Sequence, residues 1–260
     1  AERLFGEAAP GLAGFVTKTV TPEPRPGNPA PRIAPATGGL INSIGLPGPG
    51  IDAFCDALLP EIAGLVAGPV IASVGGFAVT DYVASVARLD AHPACAAIEL
   101  NVSCPNVESG CASIGTDTGE TERLTRAARA ATRKPLFVKL SASVSDIAEI
   151  ARAAEAGGAA ALVCINTVKG TVVDRRTGRS WLGGGGGGLS GPAIKPAALH
   201  AVLACREATE LDIVGLGGVA GPDDARDLLA AGASAIAIGT MLFADPSLAR
   251  RVRDALADDG

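Results

Sequence analysis

The stretch Cys95-Ala96-Ala97-Ile98-Glu99-Leu100-Asn101-Val102-Ser103-Cys104-Pro105-Asn106 is a short apolar run followed directly by amides, a hydroxyl and a thiol. The run lies between His-Pro and Ser-Cys-Pro, which predicts a buried β-strand over residues 96–101. Parallel α/β folds carry their chemistry at the carboxyl ends of such strands. The polar residues could equally form only a proline-containing turn with asparagine caps, so the rest of the chain must decide.

A pattern of strand followed by helix recurs along the chain. Apolar runs rich in β-branched residues predict further strands at residues 14–20, 69–74, 136–140, 161–166, 212–217 and 235–239. Amphipathic stretches predict helices at residues 121–132, 144–156, 196–208 and 222–231. The strands are apolar throughout and do not alternate, which indicates burial on both faces and a parallel sheet.

This pattern predicts an α/β fold of the TIM (β/α)8 barrel class. The length of 260 residues is close to that of a single barrel, although two smaller domains would also fit it. We predict one domain over residues 1–260. Seven strands are visible and residues 1–9 have a helical pattern, so we expect the first barrel strand to be absent from this sequence.

Composition argues against several classes of function. Apolar residues make up 48% of the chain, so a large core can form, and the net charge of −5 without a basic, aromatic stripe argues against nucleic acid as a partner. The most apolar stretch, residues 58–79, is interrupted by prolines, a glutamate and a Gly-Gly pair, which argues against a membrane span. Six cysteines without a C-x-x-C pair are typical of a reduced, cytoplasmic protein, and we expect no metal site.

Two long inserts separate the predicted elements. Residues 21–50 are rich in proline and glycine and are too long for an ordinary βα loop, and loops of this length are often functional. The second insert, residues 169–191, contains Trp181 and six consecutive glycines at residues 183–188. For the first of these glycines we predict a mobile loop with no contact role.

Glycines at the ends of the last two predicted strands indicate a phosphate site. Gly215-Leu216-Gly217-Gly218-Val219 ends one strand, and Ala237-Ile238-Gly239-Thr240 ends the next. Glycines leave backbone N–H groups accessible and a following helix N-terminus adds positive potential, where barrels commonly bind phosphate. The glycines could also serve only tight turns. Two such turns on consecutive strands favour phosphate, without specifying a reaction.

Lysines interrupt two of the predicted strands, at Lys18 and Lys139. A lysine is rarely buried without a partner, so one at the mouth of a barrel would suit an electron-rich cofactor ring or a Schiff base. Either lysine could also simply extend its ammonium group into solvent.

Asparagines and one cysteine complete the candidate site. Asn42, Asn101, Asn106 and Asn166 could together bind a flat, polar ring. Cys104 is the best candidate base, because a thiol with a lowered pKa can accept a proton. Cys55, Cys95, Cys164 and Cys205 fit better as small buried apolar side chains, and the two histidines as structural residues.

Five motifs stand in the order found in one known family. They are Lys18-Thr-Val-Thr-Pro-Glu-Pro-Arg-Pro-Gly-Asn-Pro29, Asn42-Ser-Ile-Gly-Leu46, Asn101-Val-Ser-Cys-Pro-Asn106, Asn166-Thr-Val-Lys-Gly170 and Gly187-Gly-Leu-Ser-Gly-Pro-Ala-Ile-Lys-Pro196. On these motifs the chain resembles the dihydroorotate dehydrogenases, flavoproteins of pyrimidine biosynthesis. Cysteine at position 104 resembles class 1, because the membrane-associated class has serine there. The Thr-Pro-Glu-Pro-Arg, Asn-Thr-Val-Lys-Gly and Gly-Pro-Ala-Ile-Lys-Pro pieces resemble the NAD-linked class 1B.

The resemblance implies oxidation of (S)-dihydroorotate to orotate with FMN as the cofactor. Cys104 would take a proton from C5 of the substrate while C6 delivers hydride to N5 of FMN. Residues 109–118 would act as a lid. The substrate would be held by Asn42, Gly45, Leu46, Asn101, Asn106, Asn166 and Thr167. FMN would be held by Lys18, Lys139, Ile165, Gly191, Gly217, Gly218, Gly239 and Thr240.

The resemblance also implies partners and leaves alternatives open. The chain would form a homodimer, or a heterotetramer with a subunit that carries FAD and an iron–sulfur cluster. The electron acceptor could be NAD through that subunit, or fumarate directly as in class 1A. Other possibilities are an FMN-dependent dihydropyrimidine dehydrogenase-like enzyme, a flavin-free barrel with Lys139 as a Schiff-base lysine, and an inactive interaction subunit.

Overall fold

The computed structural model describes residues 12–102 and 114–258. Its strands are β1 (Phe15–Val16), β2 (Ile33–Ala36), β3 (Gly39–Asn42), β4 (Val70–Val74), β5 (Ala97–Asn101), β6 (Leu136–Lys139), β7 (Ala161–Cys164), β8 (Val168–Gly170), β9 (Gly187–Ser190), β10 (Asp212–Leu216) and β11 (Ala235–Ala237). Its helices are α1 (Ile51–Ala53), which continues through a π-helical turn (Phe54–Leu58) into α2 (Leu59–Leu65), α3 (Val79–Asp90), α4 (Thr118–Ala130), α5 (Ile147–Ala156), α6 (Lys195–Ala208), α7 (Pro222–Ala230) and α8 (Leu248–Ala257).

The main sheet confirms the predicted fold class. It has seven parallel strands in the order β1-β4-β5-β6-β7-β10-β11, so each strand pairs with the next one in the chain after an intervening crossover. This is the strand–helix order of a TIM barrel. Within the described residues, β1 and β11 are the two edges of the sheet. The helix predicted at residues 1–9 lies outside the described residues.

Strand β1 is much shorter than the strand predicted at residues 14–20. Phe15 and Val16 pair with β4, and the ladder resumes only at Val20, which bridges Val74. Between them, the backbone N–H of Ser73 donates to the Thr17 hydroxyl at 3.1 Å, and that side chain thereby takes the place of a backbone acceptor. Side-chain hydrogen bonds of this kind compete with a sheet ladder.

The two faces of the main sheet have different characters. Residues on the outer face of β4, β5 and β6, such as Ala72, Ile98 and Leu136, are fully buried in one apolar cluster with the helices. Some of the alternate positions carry polar side chains, and the register places Ser73 beside Glu99. Because side chains alternate along a strand, this second set faces the barrel interior. The polar side chains of these strands therefore lie on the interior face.

A second sheet, which the sequence did not predict, is built from the two inserts. It is antiparallel with the order β2-β3-β9-β8. The prediction that the first glycines of the run have no contact role is wrong. A β-carbon at Gly183 would lie 2.3 Å from the Pro29 carbonyl oxygen, and one at Gly184 would lie 2.4 Å from the Ser43 hydroxyl. Only glycine allows the two inserts to pack this closely.

None of the helices in the described ranges is both long and apolar enough to cross a bilayer.

Candidate active site

A cleft opens at the carboxyl ends of β6, β7, β10 and β11. It is lined by Lys139, Ile165, Asn166, Thr167, Ser190, Gly191, Ile194, Leu216, Gly217, Gly218, Val219, Ala237, Ile238, Gly239, Thr240 and Met241. Seven of the eight residues predicted to hold a cofactor are in this set. The eighth, Lys18, follows β1 at the other edge of the main sheet. Its side chain is exposed and does not line the cleft. Its role stays a prediction.

A wider depression over α4 is a weaker candidate. It is lined by Glu122, Arg123 and Arg126 and is open to solvent. Arg126 pairs with Glu122 across one helical turn, as exposed helix faces commonly do. The chemistry-bearing residues lie in the cleft instead.

The glycines at the floor of the cleft suit a phosphate group. Gly217 and Gly218 have φ angles of 132° and 80°, in the left-handed region that favours glycine. A β-carbon at Gly239 would enter open space, with no heavy atom of the described residues within 4 Å. The cleft therefore passes directly over the Gly239 α-carbon, and the short 3-10 helix that begins at Thr240 adds its N-terminal N–H groups.

An ion cluster holds the β10–α7 turn in place beneath the cleft. Lys195 Nζ lies 2.6 Å from Asp224 Oδ1 and 2.6 Å from Asp227 Oδ2. The other oxygen of Asp224 accepts the Ala220 N–H at 2.8 Å. The hydrogen bond to Asp224 raises the pKa of Lys195. Burial opposes ionisation of Asp224, yet the hydrogen bonds from Lys195 and Ala220 hold the pKa of Asp224 below its ordinary value.

We expect Asp224→Asn to lower the free energy of unfolding by about 1 kcal/mol at pH 7, because it removes the charge that Lys195 and the turn bind. The folded-state pKa of Asp224 is depressed, so this stability is present above the unfolded value of about 3.9 and is lost as pH falls through the folded value. Urea unfolding of the wild type and the variant at pH 7 and at about pH 3 measures this loss of unfolding free energy. Asp223→Asn, on an exposed pair with Arg226, is the control. An equal loss at both pH values would contradict this account.

Two of the predicted substrate amides lie against each other at the rim of the cleft. Asn101 ends β5 and Asn166 follows β7, and Asn166 Nδ2 donates to Asn101 Oδ1 at 3.1 Å. Asn166 Oδ1 accepts the backbone N–H of Thr167 at 2.8 Å. Because Asn166 and Thr167 also line the cleft, the predicted cofactor and substrate residues meet at this point.

Asn42 joins this group through the second sheet. It ends β3 opposite Gly188 of β9, and its side-chain amide donates to the Gly188 carbonyl oxygen at 3.4 Å. A β-carbon at Gly188 would lie 1.9 Å from the Thr167 hydroxyl, so Thr167 packs directly on this glycine. The inserts therefore bring Asn42 to the same rim as Asn166 and Thr167.

Gly45 and Leu46 form a tight turn at the same end of the barrel. Gly45 has φ 76° and Leu46, a non-glycine residue, has φ 54°. This conformation is costly for a branched side chain and persists only where the surroundings impose it. Leu46 is buried at 3% exposure, and the space over Gly75 is bounded by both Leu46 and Thr19. The turn thus lies beside Thr19, near Asn101.

The predicted base, Cys104, lies outside the described residues, as do Asn106 and residues 109–113 of the predicted lid at 109–118. The described cysteines are all buried, as predicted. Burial raises the pKa of the Cys55 thiol, and a hydrogen bond with Cys205 together with burial raises that of Cys164. Neither suits proton abstraction at neutral pH.

Sequence reasoning missed two kinds of residue. The first are cleft-lining neighbours of the predicted residues: Ser190, Ile194, Leu216, Val219, Ala237, Ile238 and Met241. They lie next to the predicted glycines in the sequence, and this proximity could have identified them as lining the same cleft. The second is Lys195, whose role depends on contacts with Asp224 and Asp227 across the turn.

Proteins of one known family are similar to this chain over most of its length. A family model described as dihydroorotate dehydrogenase matches residues 2–259. The catalytic subunit of dihydroorotate dehydrogenase B (NAD(+)) from Listeria monocytogenes serotype 4b is 46% identical over 235 residues, which cover 90% of this chain and 77% of that protein. The same subunit from Trichlorobacter lovleyi is 43% identical over 245 residues, covering 94% of this chain and 80% of that protein.

A solved structure supports the fold. Dihydroorotate dehydrogenase from Eimeria tenella, crystallised with ferulenol, superposes with a TM-score of 0.80 at 24% identity, covering 96% of this chain and 75% of that one.

Proposed function

Since the chain belongs to the dihydroorotate dehydrogenase family, we propose that it is the FMN-binding catalytic subunit of an NAD-linked enzyme. It is an oxidoreductase that converts dihydroorotate to orotate in pyrimidine biosynthesis, the activity for which its relatives are named. We further propose that residues 1–260 form a single cofactor-binding domain that acts in the cytoplasm.

The observation that carries this proposal is the convergence of predicted residues on one cleft. Glycine turns after β9, β10 and β11 supply accessible backbone for the FMN phosphate, and Lys139 ends β6, which β7 separates from β10 in the main sheet. A lysine there favours negative charge on the flavin ring. When bound, FMN supplies the hydride-accepting chemistry, while the protein supplies binding, orientation and the base.

The chain's own residues would position the substrate and move one proton. Asn42, Asn101 and Asn166, with Asn106, would bind dihydroorotate, because carboxamides can both donate to its carbonyl and carboxylate oxygens and accept from its ring N–H groups. Gly45, Leu46 and Thr167 would complete the pocket. Cys104 would remove the proton from C5, next to the carbon from which the hydride leaves.

We also propose a partner subunit. The relatives are named as catalytic subunits of NAD-linked enzymes, and such a chain would pass electrons to a subunit with FAD and an iron–sulfur cluster. This assembly would be a heterotetramer built on a homodimer of the present chain. Co-purification from the native cell, followed by iron and flavin analysis, would detect that partner, and a catalytic subunit purified alone with fumarate-dependent activity would instead place the chain in class 1A.

Ligand binding tests the cofactor and substrate together. We expect the flavin released from denatured protein to be FMN, and orotate to perturb the visible absorbance of the bound flavin. Uracil, which lacks the carboxylate, should do so only at much higher concentration. A flavin other than FMN would contradict the cofactor assignment. A stronger response to uracil would favour a dihydropyrimidine dehydrogenase-like enzyme.

A further inference from the structure

A line of hydrogen bonds runs from the rim of the cleft into the barrel interior and ends on a buried carboxylate. Asn101 Nδ2 donates to the Thr19 hydroxyl at 2.9 Å, and that hydroxyl lies 3.0 Å from the hydroxyl of Ser73. Ser73 donates to Glu99 Oε1 at 2.9 Å. Ser73 and Glu99 are 1% and 3% exposed. At the rim, Asn166 donates to Asn101 and accepts from the Thr167 backbone.

The fold places these residues in line. Glu99 and Asn101 are two apart on β5 and therefore share the interior face of the sheet. The register sets Ser73 of β4 beside Glu99, and the segment after β1 brings Thr19 against both Ser73 and Asn101. The predicted substrate amides are thus tied to a part of the barrel that does not line the cleft.

Both ends of the line demand the same direction of donation. The Thr167 backbone N–H can only donate, so Asn166 must turn its oxygen towards it and its NH2 group towards Asn101. Asn101 then accepts through its oxygen and donates to Thr19, Thr19 donates to Ser73, and Ser73 donates to the carboxylate. At the far end, the hydrogen bond from Ser73 to Glu99 Oε1 runs in the same direction. Flipping either carboxamide would set two donors against each other.

We propose that Glu99, acting through Ser73 and Thr19, is a positioning residue that, together with the Thr167 N–H at the other end of the line, fixes which groups the carboxamides of Asn101 and Asn166 present to the substrate. This inference rests on the proposed function, because it assigns the two amides to the pyrimidine. A substrate with ring N–H donors and carbonyl acceptors distinguishes the two orientations of an amide, since a flipped amide loses a hydrogen bond and leaves a buried polar group unpaired.

Orotate binding to the FMN-loaded protein tests the proposal, measured by calorimetry so that no turnover is needed. Ser73→Ala cuts the line, and we expect it to raise the orotate Kd about tenfold, which corresponds to one hydrogen bond between an amide and orotate lost when the amide turns, with FMN content unchanged. Ser85→Ala is the matched control. Ser85 is also fully buried, its hydroxyl has no hydrogen-bond partner in the described part of the chain, and it lies on α3, away from the line.

A double-mutant cycle tests whether Glu99 and Ser73 act on orotate binding through the same line of hydrogen bonds. Glu99→Gln alone should raise the orotate Kd, because the amide of glutamine can donate to Ser73 and no longer imposes one direction. Added to Ser73→Ala, it should raise the Kd no further, because the line is already cut. Fully additive effects of the two substitutions on the orotate Kd would overturn the proposal. An orotate Kd for Ser73→Ala within about twofold of the wild type would overturn it as well.

A second pair of variants guards against misfolding. Thr19→Val keeps the shape of the side chain but leaves the Asn101 N–H without its acceptor, whereas Thr19→Ser keeps the hydroxyl. We expect weakened orotate binding in the first and rescue in the second. Equal binding by both would overturn the proposal. If the wild-type protein binds FMN but not orotate, the proposed function itself fails, a result distinct from normal wild-type binding with unaffected variants.

Discussion

Replacing Cys104 by serine is expected to slow flavin reduction by dihydroorotate at pH 7 by about 100-fold or more, while the orotate Kd stays within about twofold. A thiolate is accessible near neutral pH, whereas a hydroxyl releases its proton far less readily, so serine is a poor base in the same position. Rapid mixing of FMN-loaded protein with dihydroorotate under anaerobic conditions measures the rate directly.

The control for this variant is Cys55→Ser. Cys55 is fully buried and burial raises its thiol pKa, so the change is expected to affect stability and leave the reduction rate unchanged. A reduction rate for Cys104→Ser equal to that of the wild type would remove Cys104 from the role of base. A parallel loss of orotate binding would show instead that the substitution disturbs the pocket.

Gly239→Val is expected to raise the FMN Kd by at least about 100-fold, or about 2.7 kcal/mol. The valine side chain would enter the space over Gly239, where no atom of residues 12–102 or 114–258 lies within 4 Å of a β-carbon, and would occupy the volume proposed for the phosphate. The φ angle of −123° avoids the left-handed region, and thermal unfolding of the variant measures what valine costs at the accompanying ψ of −92°. Flavin retained after gel filtration and fluorescence titration with FMN both measure the effect.

Gly64→Val provides the matched comparison. A β-carbon at Gly64, on α2, also meets no atom of the described chain within 4 Å, but Gly64 does not line the cleft. The FMN affinity of Gly64→Val should equal that of the wild type, and thermal unfolding of both variants separates loss of stability from loss of FMN binding. Equal affinity in both variants would place the phosphate away from the β11 turn.

The main sheet could be predicted from sequence because its strands are continuous apolar runs, buried on both faces. The second sheet could not. Its strand β9 begins with Gly187-Gly188, which have no strand propensity, and the pairing of β9 with β3 depends on the close approach of two inserts distant in the chain. The predicted length of strand β1 was too great because the side chain of Thr17 replaces part of the backbone ladder.

The candidate site was likewise only partly predictable from the sequence. Gly217, Gly218 and Gly239 were identifiable because glycines at consecutive strand ends are a local pattern. The line from Asn101 through Thr19 and Ser73 to Glu99 was not, because these residues lie in separate segments and meet only through the register of β4 with β5. Lys195 was missed for the same reason, since its partners Asp224 and Asp227 lie on α7, which follows the next strand, β10.

The most direct test of the central claim is an anaerobic titration of the FMN-loaded protein with dihydroorotate. The account predicts stoichiometric bleaching of the visible flavin absorbance, with orotate as the product. Protein that binds FMN in the cleft and is perturbed by orotate, yet is not bleached by dihydroorotate, would contradict it.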